Sequence, residues 1–256
     1  MLRASAILAR DMYRFLAFRF SHFRGVYENF RQAEAAASRT TRIGYNHEDL
    51  ASQYRAELYL NLDNSEYPVL YHLDRILTDH CTVLDFGGNV GIHYLRYKKY
   101  LDLEKVRWIV CDVPEITKVG QATCAGVSNI AFINDIDELD EPRIDIFLAS
   151  DTLQYIESHD LLLPRLIGKG IRPRHILIDQ LPLYDGPRFV TLQNGGLVHY
   201  PQYVFNREEY LTVIANLGYE LVDSWDCHNF SCIVPFHPGR SVRAYTGLCF
   251  SEKRTI

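Results

Sequence analysis

With 256 residues, 47% of them hydrophobic and 23% charged, the chain has enough apolar surface for one sizeable core, which excludes a disordered polymer. The formal net charge of -5 lacks the basic surplus of nucleic-acid binders, so no nucleic-acid partner is expected. No run of about 18 apolar residues is present to span a bilayer. The six cysteines, at 81, 111, 124, 227, 232 and 249, contain no Cys-x-x-Cys pair and read as reduced, mostly buried thiols of a cytoplasmic protein. Cys227, His228 and Cys232 lack a second ligand pair, so no metal is expected there.

Residues 1–24 carry Arg3, Arg10, Arg14, Arg19 and Arg24, with Leu8, Met12, Phe15, Leu16, Phe20 and Phe23 at helical spacing. The pattern predicts a basic amphipathic helix packed on the domain or on a second copy of the chain, with peripheral membrane contact as the sharper alternative. Packing is preferred because no second anchoring signal accompanies the helix. Residues 25–77 read as further helix, with Asn46 as an N-cap and Pro68 opening a helix that buries Leu70, Leu73, Ile76 and Leu77. Many of its tyrosines, Tyr45 and Tyr54 among them, are expected to pack, and one or two to line a substrate cleft.

From residue 81 onward, strand and helix alternate, which predicts a doubly wound parallel sheet. Strands are expected at 81–86, 107–112, 130–133, 144–149 and 175–178, with helices at 93–101, 114–125 and 160–167. Residues 181–203 read as a long connection with one short strand at 189–192, the kind of segment that forms lids or binding loops. Asn206 caps a last helix closed by Gly218, and residues 219–225 and 244–250 form a closing strand pair. Each parallel strand ends on a polar residue, at the edge where open α/β sheets bind ligands.

The first of these strands runs directly into Asp85-Phe86-Gly87-Gly88-Asn89-Val90-Gly91. No register of the glycines satisfies the dinucleotide fingerprint, and no Gly-Lys-Ser/Thr follows as in a P-loop. Asp-x-Gly-x-Gly-x-Gly fits with Asn89 replacing one glycine, a mild change because Asn tolerates left-handed backbone. Asp112 follows 21 residues after Gly91, at the end of the next strand, where a carboxylate can accept both hydroxyls of a ribose.

This loop resembles the first motif of class I S-adenosylmethionine-dependent methyltransferases. The resemblance implies a Rossmann-like seven-stranded sheet over residues 79–256 beneath an N-terminal helical cap at 1–78, with S-adenosylmethionine as cofactor. It further implies that Gly87, Gly88 and Gly91 form the cofactor loop, that Asp85 helps hold the methionine ammonium, that Asp135 approaches the adenine amino group, and that Ser150 and Asp151 lie beside the transferred methyl. The order Phe23-x-Gly25-Val26-Tyr27, Ala33, Gly44-Tyr45 and Gly218-Tyr219 is similar to a narrower group of methyltransferases encoded near bacterial surface-polysaccharide genes. That likeness implies a sugar or other small hydroxylated acceptor and a role in polysaccharide biosynthesis. An oxygen acceptor benefits from a proton acceptor near neutral pKa, which singles out His199, with His159 second. An NAD-dependent sugar-modifying oxidoreductase and a non-catalytic nucleotide-binding scaffold are the alternatives.

Overall fold

The computed structural model describes residues 22–37, 42–47, 54, 61–196 and 198–253. In chain order the elements are β1 (His22–Tyr27), α1 (Phe30–Ala35), β2 (Arg42–Ile43), α2 (Tyr67–Ile76), β3 (Thr82–Phe86), α3 (Ile92–Tyr97), β4 (Arg107–Cys111), α4 (Pro114–Thr123), β5 (Ile130–Ile133), β6 (Ile146–Ser150), α5 (His159–Gly168), β7 (His175–Leu181), β8 (Leu183–Tyr184), β9 (Phe189–Asn194), β10 (Val198–Asn206), α6 (Arg207–Asn216), β11 (Tyr219–Cys227) and β12 (Tyr245–Glu252).

The main sheet has seven strands in the order β11-β12-β7-β6-β3-β4-β5. Strands β3 to β7 are mutually parallel; β12 joins β7 antiparallel, and β11 pairs antiparallel with β12. The chain proceeds outward from β3 through β4 to β5, then returns to place β6 on the other side of β3. This reversal opens a crevice at the C-terminal ends of β3, β4 and β6, where no crossover helix covers the edge.

Alternation along the buried strands feeds two apolar layers. Leu84, Ile109, Phe147 and Ile178 pack with Leu162, Leu166 and Ile214 on one face. Val83, Trp108, Leu148 and Leu177 pack with Val69, Leu73, Tyr94 and Tyr97 on the other. Asn206 caps α6 by accepting from the Glu209 N–H at 2.8 Å, and Gly218 beyond its end has φ of +92°, both as the sequence predicts.

A second sheet, β1-β9-β10-β2 with β8 on β10, departs from the expected organisation. Residues 181–203 are not a lid: β9 runs to Asn194, two residues past the expected strand, and turns through Gly195 and Gly196 into β10. Pro201 concealed this strand in the sequence. It is tolerated because β10 pairs on its second side with β2 only at Val198 and His199, and with β8 only at Phe205 and Asn206, leaving Pro201 in the gap.

The helical reading of the N-terminal part is corrected in the same region. His22 to Arg24, expected at the end of a helix, pair with β9, and residues 42–43 form a strand where helix was expected. Cross-strand pairing and burial of Phe23 override local helical periodicity. The rest of the amphipathic segment, and most of the helix expected after Asn46, lie outside the described residues.

Helix α1 is integrated with the core. Phe30 is buried against Tyr203, with ring centroids 4.7 Å apart, and belongs to the same cluster as Phe147 and Phe205. Phe30→Ala is therefore expected to lower stability by about 3–5 kcal/mol within a single urea transition. A separate early transition would instead mark an independent N-terminal cap.

Candidate functional site

The loop after β3 is shaped by left-handed backbone at Gly87 (φ 71°), Asn89 (φ 56°) and Gly91 (φ 85°). Asn89 adopts the conformation expected of it. A Cβ at Gly87 would overlap the Thr152 side chain, so this glycine lets the β3 and β6 loops touch. A Cβ at Gly88 would overlap the Asp85 carboxylate. Gly91 is the N-cap of α3.

Asp85 lies beneath the loop, fully buried. It accepts from His93 Nδ1 at 2.9 Å and from Trp108 Nε1 at 3.0 Å. Burial pulls the proton affinity of His93 down, but the Asp85 carboxylate outweighs it and the pKa is raised. Asp85 is not among the residues lining the cavity above; its carboxylate accepts from a side chain of α3 and one of β4.

That cavity, of about 720 Å³, occupies the crevice at the sheet switch, within the size range of small-molecule sites. Of the residues expected at a cofactor, Gly87, Asp112, Asp135, Ser150 and Asp151 line it. Asp85, Gly88 and Gly91 support it from behind. On one side, the Asp112 carboxylate accepts from the backbone N–H groups of Asn89 at 2.9 Å and Val113 at 2.7 Å. Asp135 lies further along and is held by Arg165 at 2.8 Å.

Next to α3, Glu66 pairs with Arg96 at 2.7 Å and accepts from the Tyr97 hydroxyl at 3.2 Å. His93 and Arg96, one helical turn apart, both line the cavity. Their i, i+3 spacing directly after the glycine loop is the sequence signal that places both on one helical face.

At the end of β6 the wall is aromatic. Tyr45, Tyr54, Tyr155 and Phe230 line the cavity, with Tyr45 edge-on to Tyr155 at 5.2 Å and stacked on Tyr200 at 4.1 Å. The Tyr155 hydroxyl donates to Gln193 Oε1 of β9 at 2.7 Å. The second sheet thus supports this wall from behind; among the described residues, 181–203 supply no lining side chain, while the preceding strand supplies Gln180.

His199 stands apart from the cavity. It is buried on β10, in register with Asn194 and Ile43, and its neighbour Tyr200 is the residue that meets Tyr45 and Tyr155. Successive side chains of a strand point to opposite faces, so His199 lies on the face of β10 opposite the one where Tyr200 meets Tyr45 and Tyr155. Burial also lowers its pKa. His159, the second choice, packs against Tyr203 and Phe205 at the start of α5, beside a smaller cleft between α5 and α6.

Asp151, directly after β6, lines the cavity. Burial, and next the charge of Asp179, push its carboxyl up to about 7. Asp151 has φ of +48°, its N–H donates to the Asp179 carbonyl at 3.1 Å, and its carboxylate accepts from Gln154. Burial raises Asp179 to about 6. Its Oδ1 accepts from Trp225 Nε1 at 3.0 Å and from the Cys227 thiol at 3.2 Å, while its buried Oδ2 has no partner among the described residues. Asp112 is raised to about 6 by burial, against the pull of its two backbone N–H donors.

A carboxyl whose folded pKa exceeds its unfolded value binds more protons when folded, so its contribution favours folding at low pH and is lost as pH rises through the folded pKa. Asp151→Asn is accordingly expected to raise the melting temperature by at least about 2–4 °C at pH 8, by a clearly smaller amount at pH 5, and hardly at all below the ordinary carboxyl pKa. An equal shift at both pH values would contradict a raised Asp151. Gly88→Ala, which drives a methyl into the Asp85 carboxylate, is expected to destabilise by about 1–3 kcal/mol, read from urea unfolding.

No protein-family model matches the chain, and no curated protein matches it. Solved structures share its fold. A 1,6-didemethyltoxoflavin-N1-methyltransferase from Burkholderia thailandensis, with its substrate and S-adenosylhomocysteine bound, superposes with TM-score 0.51 at 21% identity, covering 80% of this chain and 86% of that one. The CcbJ methyltransferase of Streptomyces caelestis gives TM-score 0.52 at 12% identity, with 84% and 99% covered. A complex of the Haloferax volcanii Trm112 methyltransferase activator with a protein assigned as a methyltransferase gives 0.56 at 14%, with 83% and 99% covered. The chain therefore has the Rossmann-like, seven-stranded fold of class I methyltransferases.

Proposed function

We propose that the chain is an S-adenosylmethionine-dependent methyltransferase acting on a hydroxyl of a sugar or other small hydroxylated acceptor. The observation that carries this reading is the arrangement at the sheet switch, where the left-handed turn at Gly87 to Asn89 and the Asp112 carboxylate form adjacent walls of one cavity. Fold alone does not assign an activity, but this combination of loop, acid and cavity fits an adenosyl ligand. Each Asp112 oxygen is bonded to one backbone N–H and retains acceptor capacity for a ribose hydroxyl. Asn134 and Asp135 offer polar groups beyond it.

When bound, the cofactor supplies an electrophilic methyl on a sulfonium. The chain's task is then alignment and water exclusion, which can contribute several kcal/mol through orientation alone. Ser150 and Asp151 stand at the reacting end. The Glu66–Arg96 pair offers both charges to a zwitterionic amino-acid group, with Glu66 taking the ammonium contact expected of Asp85. Tyr45, Tyr54, Tyr155 and Phe230 provide flat apolar faces with hydroxyl rims, suited to the ring of a sugar or similar acceptor. The bound substrate and homocysteine product of the Burkholderia thailandensis neighbour support a cleft that holds both ligands.

Titration calorimetry with S-adenosylhomocysteine is expected to give micromolar affinity that falls at least about tenfold in Asp112→Ala, the loss of one charged hydrogen-bond acceptor or more. Binding of NAD with no response to S-adenosylmethionine or its product would favour the oxidoreductase reading and overturn this one.

A further inference from the structure

β3 lies between β4 and β6, and adjacent strands are about 4.8 Å apart, so the backbones carrying Asp112 after β4 and Asp151 after β6, which both line the cavity, are separated by roughly 10 Å with the glycine loop between them. A ligand whose ribose rests on Asp112 lays its 5′ substituent over Gly87 towards Asp151. The other acids lining the cavity are engaged differently. Glu66 is paired with Arg96, Asp135 with Arg165, Asp112 accepts two backbone N–H groups, and Asp63 is the N-cap of a short turn. No cation pairs with Asp151 among the described residues; its donor is the neutral amide of Gln154.

The groups facing Asp151 from the surrounding elements favour a visiting cation. Behind it, Asp179 on β7 adds negative charge and carries a buried oxygen without a partner. Tyr45, Tyr155 and Tyr245 lie within electrostatic reach, and tyrosine rings attract cations to their faces. The pocket is therefore a carboxylate in an aromatic surround, set where charge on the ligand would change during the reaction.

Resting on the cofactor reading above, we propose that Asp151, backed by Asp179 and walled by Tyr45 and Tyr155, distinguishes the cationic sulfonium of S-adenosylmethionine from the neutral thioether of S-adenosylhomocysteine. An incoming sulfonium stabilises the ionised carboxylate. Loss of the methyl leaves a neutral sulfur, and that attraction disappears, so the device favours charged donor over spent product. Because burial and Asp179 hold the Asp151 carboxyl up to about 7, the discrimination strengthens as pH rises through neutrality and fades below it. Asp179, raised to about 6, acts with the same sign. Asp112 and His93 also titrate, but they face ligand portions common to donor and product and cancel from the ratio of the two affinities.

Calorimetry of the full chain with S-adenosylmethionine, S-adenosylhomocysteine and sinefungin, whose ammonium replaces the methyl-sulfonium, tests this between pH 5.5 and 8.5. The ratio of donor to product affinity should rise about tenfold over that range, with sinefungin following the donor. Asp151→Asn should remove most of this rise, leaving only the smaller contribution of Asp179 around pH 6. A wild-type ratio that is flat with pH, or one unchanged by Asp151→Asn, overturns the inference while leaving the cofactor reading intact. If Asp151→Asn fails to fold, the wild-type pH series decides alone. Absence of binding by all three ligands removes the cofactor reading, and this inference with it.

Discussion

The site depends on one buried carboxylate. Asp85 is inaccessible to water, and removing an ionised group from water costs several kcal/mol unless it is paired and hydrogen-bonded. Here the cost is offset by His93, whose pKa is raised, and by the Trp108 indole N–H. Those partners stand on α3 and β4, so the interaction ties three consecutive elements of the sheet together at the point where the chain reverses. Gly88 must be glycine because a Cβ would strike this carboxylate. The loop consequently sits directly on the hydrogen-bonded acid, and its backbone is left to form the floor of the cavity.

A second pair of acids works in the opposite sense. Asp151 and Asp179 are held close, with raised proton affinities, a positive φ at Asp151, and an unsatisfied oxygen on Asp179. Such arrangements disfavour the folded state at neutral pH and persist because the surrounding structure fixes them. The second sheet provides that support: Tyr200 on β10 stacks behind Tyr45, and Gln193 on β9 accepts from Tyr155. One carboxylate thus fixes the floor, while the acidic pair and its aromatic surround give the reacting end its electrostatic character.

The main sheet was legible because its signals are local. Apolar runs end on acids, a glycine loop follows the first of them, and Asn206 and Gly218 bracket the last helix; all of these appear where the sequence places them. The second sheet was not legible, because β1 and β2 are stabilised by partners distant in sequence and the local β9–β10 hairpin is masked by its proline. Helical periodicity around Phe23 and the proline at position 201 pointed elsewhere. The same blindness affected the site. Asp112 could be read from its spacing to Gly91, but the direction in which Asp85 and His199 point depends on packing. Asp85 turns inward to His93, and His199 lies on the face of β10 opposite Tyr200. Glu66 could not be paired with Arg96 from sequence, since 30 residues separate them.

The most direct measurement is a crystal structure of the chain with S-adenosylhomocysteine. The account predicts ribose hydroxyls on the Asp112 carboxylate, the thioether sulfur above Gly87 facing Asp151, and the amino-acid group against Glu66 and Arg96. An adenosyl group lying elsewhere on the molecule, or a ligand reversed so that its sulfur points to Asp135, would contradict it.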